Sequence, residues 1–122
     1  MSRSDGNALG IWGEEQAAAF VQGQGYQVLA CRWRCRYGEL DLIAENERFL
    51  CFIEVKLRKN DKFAPARAFV TSAKQEKLRT AAQMYLLENP TELQPRFDVV
   101  EIYAPFGRQT KNPKIIYWED AF

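Results

Sequence analysis

The chain has 122 residues, 47% of them hydrophobic and 13% aromatic, which is enough to bury one core, and we expect a single domain over residues 1–122. Seventeen basic and sixteen acidic residues leave a net charge of +1, which excludes a strongly basic, histone-like DNA binder and confines nucleic-acid contacts to local patches. The absence of histidine excludes a Ser-His-Asp triad, a Cys-His pair and histidine zinc sites. An enzyme built from this chain would depend on carboxylates, lysines and an oxygen-binding metal.

Cysteine usage and hydropathy both indicate a cytoplasmic protein. Cys31, Cys35 and Cys51 form no CxxC pair, which argues against a disulfide framework or a zinc ribbon and favours a reducing compartment. The first ten residues lack the apolar centre of a signal peptide, and no apolar run approaches the roughly 20 residues of a membrane helix. We therefore expect a cytoplasmic protein without membrane contact.

The first predicted element is a helix over Ala8–Gly23. Its small and apolar residues follow the spacing of one helical face: Gly13, Ala17, Phe20 and Val21. Glu14 leans toward that face because it precedes Ala17 by three residues. A carboxylate near a helix N-terminus is also favoured by the helix dipole, so both a structural and a functional explanation of Glu14 stay open.

A strand is predicted over Tyr26–Trp33, and three arginines lie at and beyond its end. Arg32, Arg34 and Arg36 alternate with other residues, so an extended segment would present their guanidinium groups on one side. A solvated, charged strand edge and a phosphate-binding strip both explain this spacing.

Two strands joined by a tight turn are predicted in Gly38–Arg58, the stretch on which the functional interpretation depends. Asp41 belongs to one face of the first strand, and Glu54 and Lys56 share one face of the second. Unpaired charges on a buried face cost several kcal/mol each. These groups therefore either neutralise one another or bind a cation.

Their relative positions depend on the length of the turn. A two-residue turn at 46–47 places Asp41 opposite Phe52 and diagonal to Glu54, with backbones roughly 7–8 Å apart. One cation can bridge two carboxylates at that separation. The same register places Glu39 directly opposite Glu54.

A loop over Lys59–Thr71 is predicted to lead into a second helix, Ser72–Asn89, in which Ser72 is the N-cap and Gln75 completes a capping box. Residues 56–79 carry eight basic residues against two acidic ones, a distribution typical of a surface that holds phosphates. Solvated helix charge is the alternative. The candidate nucleic-acid contacts of this block are Arg58, Lys74, Lys77 and Arg79.

The remaining strands are predicted over Arg96–Tyr103 and Lys114–Trp118, with Asp98 facing inward near Arg96 in a structural role. Together the elements predict an α/β fold. We expect a mixed central sheet of about five strands flanked by the two helices.

The carboxylates and the lysine suit phosphodiester hydrolysis. Mg²⁺ prefers oxygen ligands and is commonly held by one or two carboxylates plus the substrate phosphate, a requirement that Asp41 and Glu54 meet. Lys56 would orient or deprotonate the attacking water or stabilise developing charge. Glu14 would supply a further carboxylate.

The order Glu14, Asp41, Glu54 and Lys56 resembles nucleases of the restriction-endonuclease-like superfamily, and is similar to the archaeal Holliday junction resolvases. More closely, the chain resembles the YraN family, bacterial proteins without an agreed activity that are classed with endonucleases. The matching positions are GEEQA at 13–17, GYQVL at 25–29, GELDLIA at 38–44, FIEVKLR at 52–58, Lys74, RFDVV at 96–100 and the terminal WEDAF.

The resemblance implies a restriction-endonuclease-like fold and a Mg²⁺- or Mn²⁺-dependent DNA endonuclease acting on branched or recombination and repair intermediates, as a homodimer like the resolvases. It assigns catalytic positions to the four residues above. The chain departs from the family pattern at Arg32, where asparagine is expected, and at Ala64, where glycine is expected. Two alternatives stay open: a non-catalytic nucleic-acid-binding module, and a protein-interaction domain in which Lys56 pairs with Asp41 and Glu54.

Overall fold

Two helices and five strands form the regular structure of residues 2–60 and 70–122, the part of the chain that the computed structural model describes; side chains are described from residue 8 onward. The helices are α1 (Ser2–Gly23) and α2 (Ser72–Glu88), and the strands are β1 (Gln27–Cys35), β2 (Gly38–Glu45), β3 (Phe49–Arg58), β4 (Gln94–Tyr103) and β5 (Lys114–Trp118). A single 3₁₀ turn, Gly107–Gln109, precedes β5 within these described ranges.

The strands form one mixed sheet in the order β1-β2-β3-β4-β5. β3 and β4 are parallel and are connected through α2, whereas the other neighbouring pairs are antiparallel. A parallel pair needs a long crossover, which a helix usually supplies. The α/β architecture predicted from the sequence is confirmed.

The two helices cover opposite faces of the sheet. On one face, Leu78, Ala81 and Tyr85 of α2 pack with Ile43 and Phe52. On the other, α1 contributes Ala17 and Val21 to a second apolar cluster, whose sheet members include Leu42, Ile53, Val100 and Ile102. Because successive strand residues point to opposite faces, the continuous apolar runs of β2 and β3 supply both clusters.

Several predicted boundaries are wrong. α1 begins at Ser2 rather than Ala8, β1 runs to Cys35, and β4 begins two residues before the predicted start at Arg96. The N-cap of α2 is Thr71, not Ser72: its Oγ1 accepts a hydrogen bond from the backbone N–H of Lys74. The side chain of Gln75 instead donates to the carbonyl of Val70.

The predicted register of the β2–β3 hairpin is also wrong, by two residues. The side chain of Asn46 accepts hydrogen bonds from the backbone N–H groups of Arg48 and Phe49, which lengthens the turn, and Glu45 pairs with Leu50 instead of Arg48. A shift of two preserves the face of every side chain. Asp41 and Glu54 therefore stay on one face, while the predicted Glu39–Glu54 opposition is lost.

A buried polar network joins β4 to the C-terminal segment. Asp98, which is fully buried, accepts hydrogen bonds from Arg96 (Nε, 2.9 Å), the hydroxyl of Tyr117 (2.5 Å) and the backbone N–H of Asp120 (2.8 Å). Burial and the Asp98 carboxylate together raise the pKa of Tyr117 far above its usual range. The structural role predicted for Asp98 agrees with this geometry.

The predicted loop over Lys59–Thr71 lies mostly outside the described residues, as do its basic residues Lys62 and Arg67 and the unusual Ala64. Within the described ranges, neither α1 nor α2 combines the length and apolar character that a membrane crossing requires.

Candidate functional site

Asp41 lies at the centre of a group of charged side chains, where the pairing of β2 with β3 ends beyond Leu42 and Ile53. Its carboxyl group accepts a hydrogen bond from the backbone N–H of Val55 (2.9 Å) and hydrogen-bonds to Glu54. Burial, and then the negative charge of Glu54, raise the pKa of Asp41 to about 8. Asp41 therefore retains a proton near neutral pH as long as no cation is present.

Glu54, on β3, is 5% exposed and is neutralised by two lysines. It forms ion pairs with Lys74 Nζ, from the first turn of α2, and with Lys56 Nζ at 3.5 Å. Burial by itself would raise the pKa of Glu54, but the hydrogen bonds from Asp41 and Lys74 outweigh it and lower the pKa. Glu54 is thus the ionised member of the Asp41–Glu54 pair.

The pKa values of the two lysines are shifted in opposite directions. Burial lowers the pKa of Lys56, and the neighbouring charge of Lys74 lowers it further, although Glu54 opposes both. Burial also acts to lower the pKa of Lys74, but the hydrogen bond to Glu54 raises it overall. Lys74 is therefore a fixed positive charge, while Lys56 is closer to giving up its proton.

Three carboxylates from α1 and β2 lie close together beside Glu54 and its two lysines. Oxygen atoms of Glu14, Glu39 and Asp41 all lie within 4.8 Å of one another. Gly13 allows α1 to approach β3 closely, because a Cβ atom there would lie 3.0 Å from a side-chain carbon of Leu57. Burial, the largest effect, raises the pKa of Glu14 despite the attraction of a nearby arginine. Oxygen donors in this arrangement suit a hard divalent cation.

That arginine is Arg32, which is close to two of the three carboxylates. Its Nε is 3.7 Å from Glu14 Oε1 and 3.8 Å from Glu39 Oε1. Arg32 has a φ of 54°, a left-handed backbone conformation that a non-glycine residue adopts only at a cost. The conformation is a local irregularity in β1, and the guanidinium partly neutralises the carboxylates.

The other predicted nucleic-acid contacts are dispersed. Arg34 is 69% exposed and pairs with Glu39 at 2.8 Å, while Arg36 lies beyond the end of β1. Arg58 is only 10% exposed and pairs with buried Glu101 at 3.1 Å. Lys77 is exposed on α2.

On α2, Arg79 contacts aromatic rings as well as solvent. Its guanidinium carbon lies 5.5 Å from the ring centroid of Phe97 and 5.9 Å from that of Phe122. Of the three α2 residues predicted to contact nucleic acid, Lys74, Lys77 and Arg79, it is Lys74 that reaches the carboxylates.

The structure brings together Glu14, Asp41, Glu54 and Lys56, all predicted as catalytic, and adds Glu39. The sequence carried a signal for Glu39, because it precedes Asp41 by two residues in a strand and so shares its face. Nothing in the sequence identified Lys74 as the partner of Glu54 or Arg32 as the counter-ion of Glu14. Each contact joins a helix to a strand that is distant from it in the sequence.

The raised pKa of Asp41 gives a testable pH dependence. Folded Asp41 holds its proton up to about pH 8, whereas an unfolded aspartate loses it near 3.8. The folded state therefore binds more protons in this window, and the free energy of unfolding of the metal-free protein should fall as pH rises from about 5 to 8. The lowered pKa of Glu54 has the opposite sign but acts below about pH 4.5.

Asp41→Asn should flatten this slope and stabilise the metal-free protein at pH 8 by about 1–3 kcal/mol. Asparagine can still accept the Val55 hydrogen bond. Urea unfolding in EDTA at a series of pH values measures both effects. An identical slope in the two proteins would contradict the assignment; a residual slope is expected from Glu14, whose raised pKa acts in the same direction.

Comparison with known proteins places the chain in a family. A family model described as "Uncharacterised protein family UPF0102" matches residues 13–102. A UPF0102 protein of Flavobacterium psychrophilum is 36% identical over 95% of this chain and 94% of its own length. One from Chlorobium chlorochromatii is 40% identical over 93% and 90%, and one from Nocardia farcinica is 43% identical over 86% and 84%. The chain therefore belongs to the protein family UPF0102, consistent with its YraN-like motifs.

Proposed function

We propose that this chain is a metal-dependent endonuclease that hydrolyses DNA phosphodiester bonds, with branched or recombination and repair intermediates as its substrates. The observation that carries the proposal is the convergence of Glu14, Glu39, Asp41 and Glu54 beside Lys56. So many carboxylates at one point oppose folding through mutual repulsion and desolvation. A divalent cation bound among them would offset both costs.

The residues fit Mg²⁺ or Mn²⁺. Asp41 and Glu54 would hold the ion, and Glu14 and Glu39 would offer further oxygen donors close to Asp41. When bound, the ion would polarise the phosphate and lower the pKa of an attacking water. The elevated pKa of Asp41 supports this assignment, because a cation would offset both the burial of the carboxylate and the repulsion from Glu54 that raise the pKa.

The chain's own groups would perform the remaining steps. Lys56, whose pKa is lowered by burial, would accept a proton from the attacking water or orient it. Lys74 keeps its charge and would face the non-bridging phosphate oxygens. The sheet and α2 fix both lysines before DNA binds, so little reorganisation is needed.

One observation favours a second candidate, a non-catalytic nucleic-acid-binding module. Glu54 already has two lysine partners and Glu14 has Arg32, so the charges are partly balanced without a cation. This module would bind DNA in a salt-sensitive manner that survives removal of the carboxylates. The two candidates differ in metal dependence.

The test is incubation of the full chain with Mg²⁺ or Mn²⁺ and labelled junction, flap, duplex and single-stranded DNA, alongside calorimetric titration with each metal. The nuclease should bind the metal and cleave at least one substrate, and both signals should be lost in Asp41→Asn. Binding of DNA without cleavage of any substrate would leave the second candidate. An absence of metal binding would exclude the proposed centre.

A further inference from the structure

A second feature lies at the carboxyl ends of the parallel strands β3 and β4. A cavity of about 540 Å³ opens there between the end of β3 and the segment that joins β4 to β5. Among the described residues that line it are three lysines, Lys59, Lys111 and Lys114, and no acidic residue. Its electrostatic character suits an anionic ligand.

Two aromatic rings face the same cavity. Phe106 is 75% exposed, the largest exposed fraction among the large apolar side chains of the described residues. Tyr103 forms part of the wall; its hydroxyl donates to Glu101 (2.9 Å) and its ring centroid lies 5.5 Å from Lys114 Nζ. A single exposed apolar residue is common, but Phe106 lines a cavity that also carries three lysines.

The backbone around Phe106 is preorganised. Its N–H donates to Thr110 Oγ1 (2.9 Å), and its carbonyl accepts from the N–H of Gln109 (3.0 Å). Gly107 has a φ of 57°, which closes the 3₁₀ turn at little steric cost. An exposed ring held in this way loses little backbone entropy when a ligand stacks on it.

The cavity lies just beyond the C-terminal end of β3, the strand that carries Glu54 and Lys56. Lys59 follows Lys56 by three residues, about 10 Å along a strand. Phosphates of one DNA strand recur every 3.4 Å along a duplex and lie farther apart in an unstacked strand, so at most about three phosphates span this distance. A strand whose scissile phosphate lies at the carboxylates would therefore reach the cavity within a few nucleotides.

We propose that this cavity binds an unpaired nucleotide of the DNA strand that occupies the active site. The base stacks on Phe106, with Tyr103 as the adjoining wall, and Lys59, Lys111 and Lys114 contact the flanking phosphates. A base inside a duplex is stacked and paired and does not offer its face, so the cavity selects DNA with a single-stranded segment next to the cleaved bond. This inference rests on the proposed function and specifies its substrate class.

Binding in EDTA tests the subsite without requiring cleavage. The fluorescence anisotropy of a short labelled single strand and of the matching duplex would be measured with the full chain and with Phe106→Ala. Stacking on one aromatic ring predicts a loss of roughly 5- to 150-fold in affinity for the single strand and less than about twofold for the duplex. Leu87→Ala is the matched control, because Leu87 is 73% exposed on α2 and does not line the cavity.

The lysines provide an independent measurement. Lys111→Gln and Lys114→Gln should each reduce the salt dependence of single-strand binding by about 0.7 in the logarithmic slope. Unchanged single-strand affinity in Phe106→Ala, an equal loss for duplex, or mononucleotide binding as tight as that of the strand would each overturn the subsite. If the subsite is overturned but metal-dependent cleavage persists, the nuclease proposal still stands. If single-strand binding depends on Phe106 but no substrate is cleaved, the subsite stands and the nuclease proposal fails.

Discussion

Asp41→Asn is expected to lower metal-dependent cleavage about a thousandfold, equivalent to about 4 kcal/mol of transition-state stabilisation. The substitution removes the carboxylate that hydrogen-bonds to Glu54 and lies within 4.8 Å of oxygen atoms of Glu14 and Glu39. It retains the acceptor for the Val55 N–H, so the fold at the end of the hairpin should be preserved. The cleavage rate under single-turnover conditions measures the effect.

The matched control is Glu92→Gln, which neutralises an exposed carboxylate between α2 and β4 and should cleave within about twofold of the unmodified chain. DNA affinity in EDTA should be retained in Asp41→Asn, because the variant loses a metal ligand and no positive charge. Cleavage that persists in Asp41→Asn would show that the Asp41 carboxylate does not take part in the reaction. Thermal unfolding would show whether Asp41→Asn loses cleavage only because it is unfolded. In that case Glu54→Gln, which removes the other proposed metal ligand, would test the mechanism instead.

Asp98→Ala is expected to destabilise the fold by about 3–5 kcal/mol. The alanine leaves the guanidinium of Arg96, which is 9% exposed, without its main partner. The hydroxyl of Tyr117 and the N–H of Asp120 lose their acceptor as well. The loss of stability should appear in the urea midpoint with little change in the slope of the transition.

The exposed pair Arg34–Glu39 is the matched comparison, since Arg34 Nε lies 2.8 Å from Glu39 and yet Arg34 is 69% exposed. Arg34→Ala should cost about 1 kcal/mol or less, because water screens the pair and replaces its hydrogen bonds. Equal costs for Asp98→Ala and Arg34→Ala would show that burial does not set the strength of the network. Asp98→Asn should lie between the two, because an amide oxygen can still accept part of the hydrogen bonding.

The pattern of apolar and polar residues was sufficient to identify the helices and strands but not to locate their ends. The apolar spacing that identified α1 starts at Gly13, and such spacing cannot reveal helical turns that precede it. The capping error at α2 has a similar cause: Thr71 and Ser72 are both good caps, and only the backbone geometry decides which hydroxyl meets the Lys74 N–H.

The hairpin shows why part of the site was predictable. The turn was predicted two residues too short. The side chain of Asn46 accepts hydrogen bonds from the backbone N–H groups of Arg48 and Phe49, so the first pair is Glu45 with Leu50. An even error in register leaves each side chain on its own face, so the shared face of Asp41 and Glu54 survived the mistake. An error of one residue would have separated them.

The sequence by itself determined the α/β architecture and the shared face of Asp41, Glu54 and Lys56, because the alternation of a strand is a local property. The tertiary structure alone decided that Lys74 neutralises Glu54 and that Arg32 lies against Glu14. Those contacts depend on how α1 and α2 pack on opposite faces of the sheet and on an irregular residue in β1. Distances between layers are set by the packing of the whole core, which no local pattern encodes.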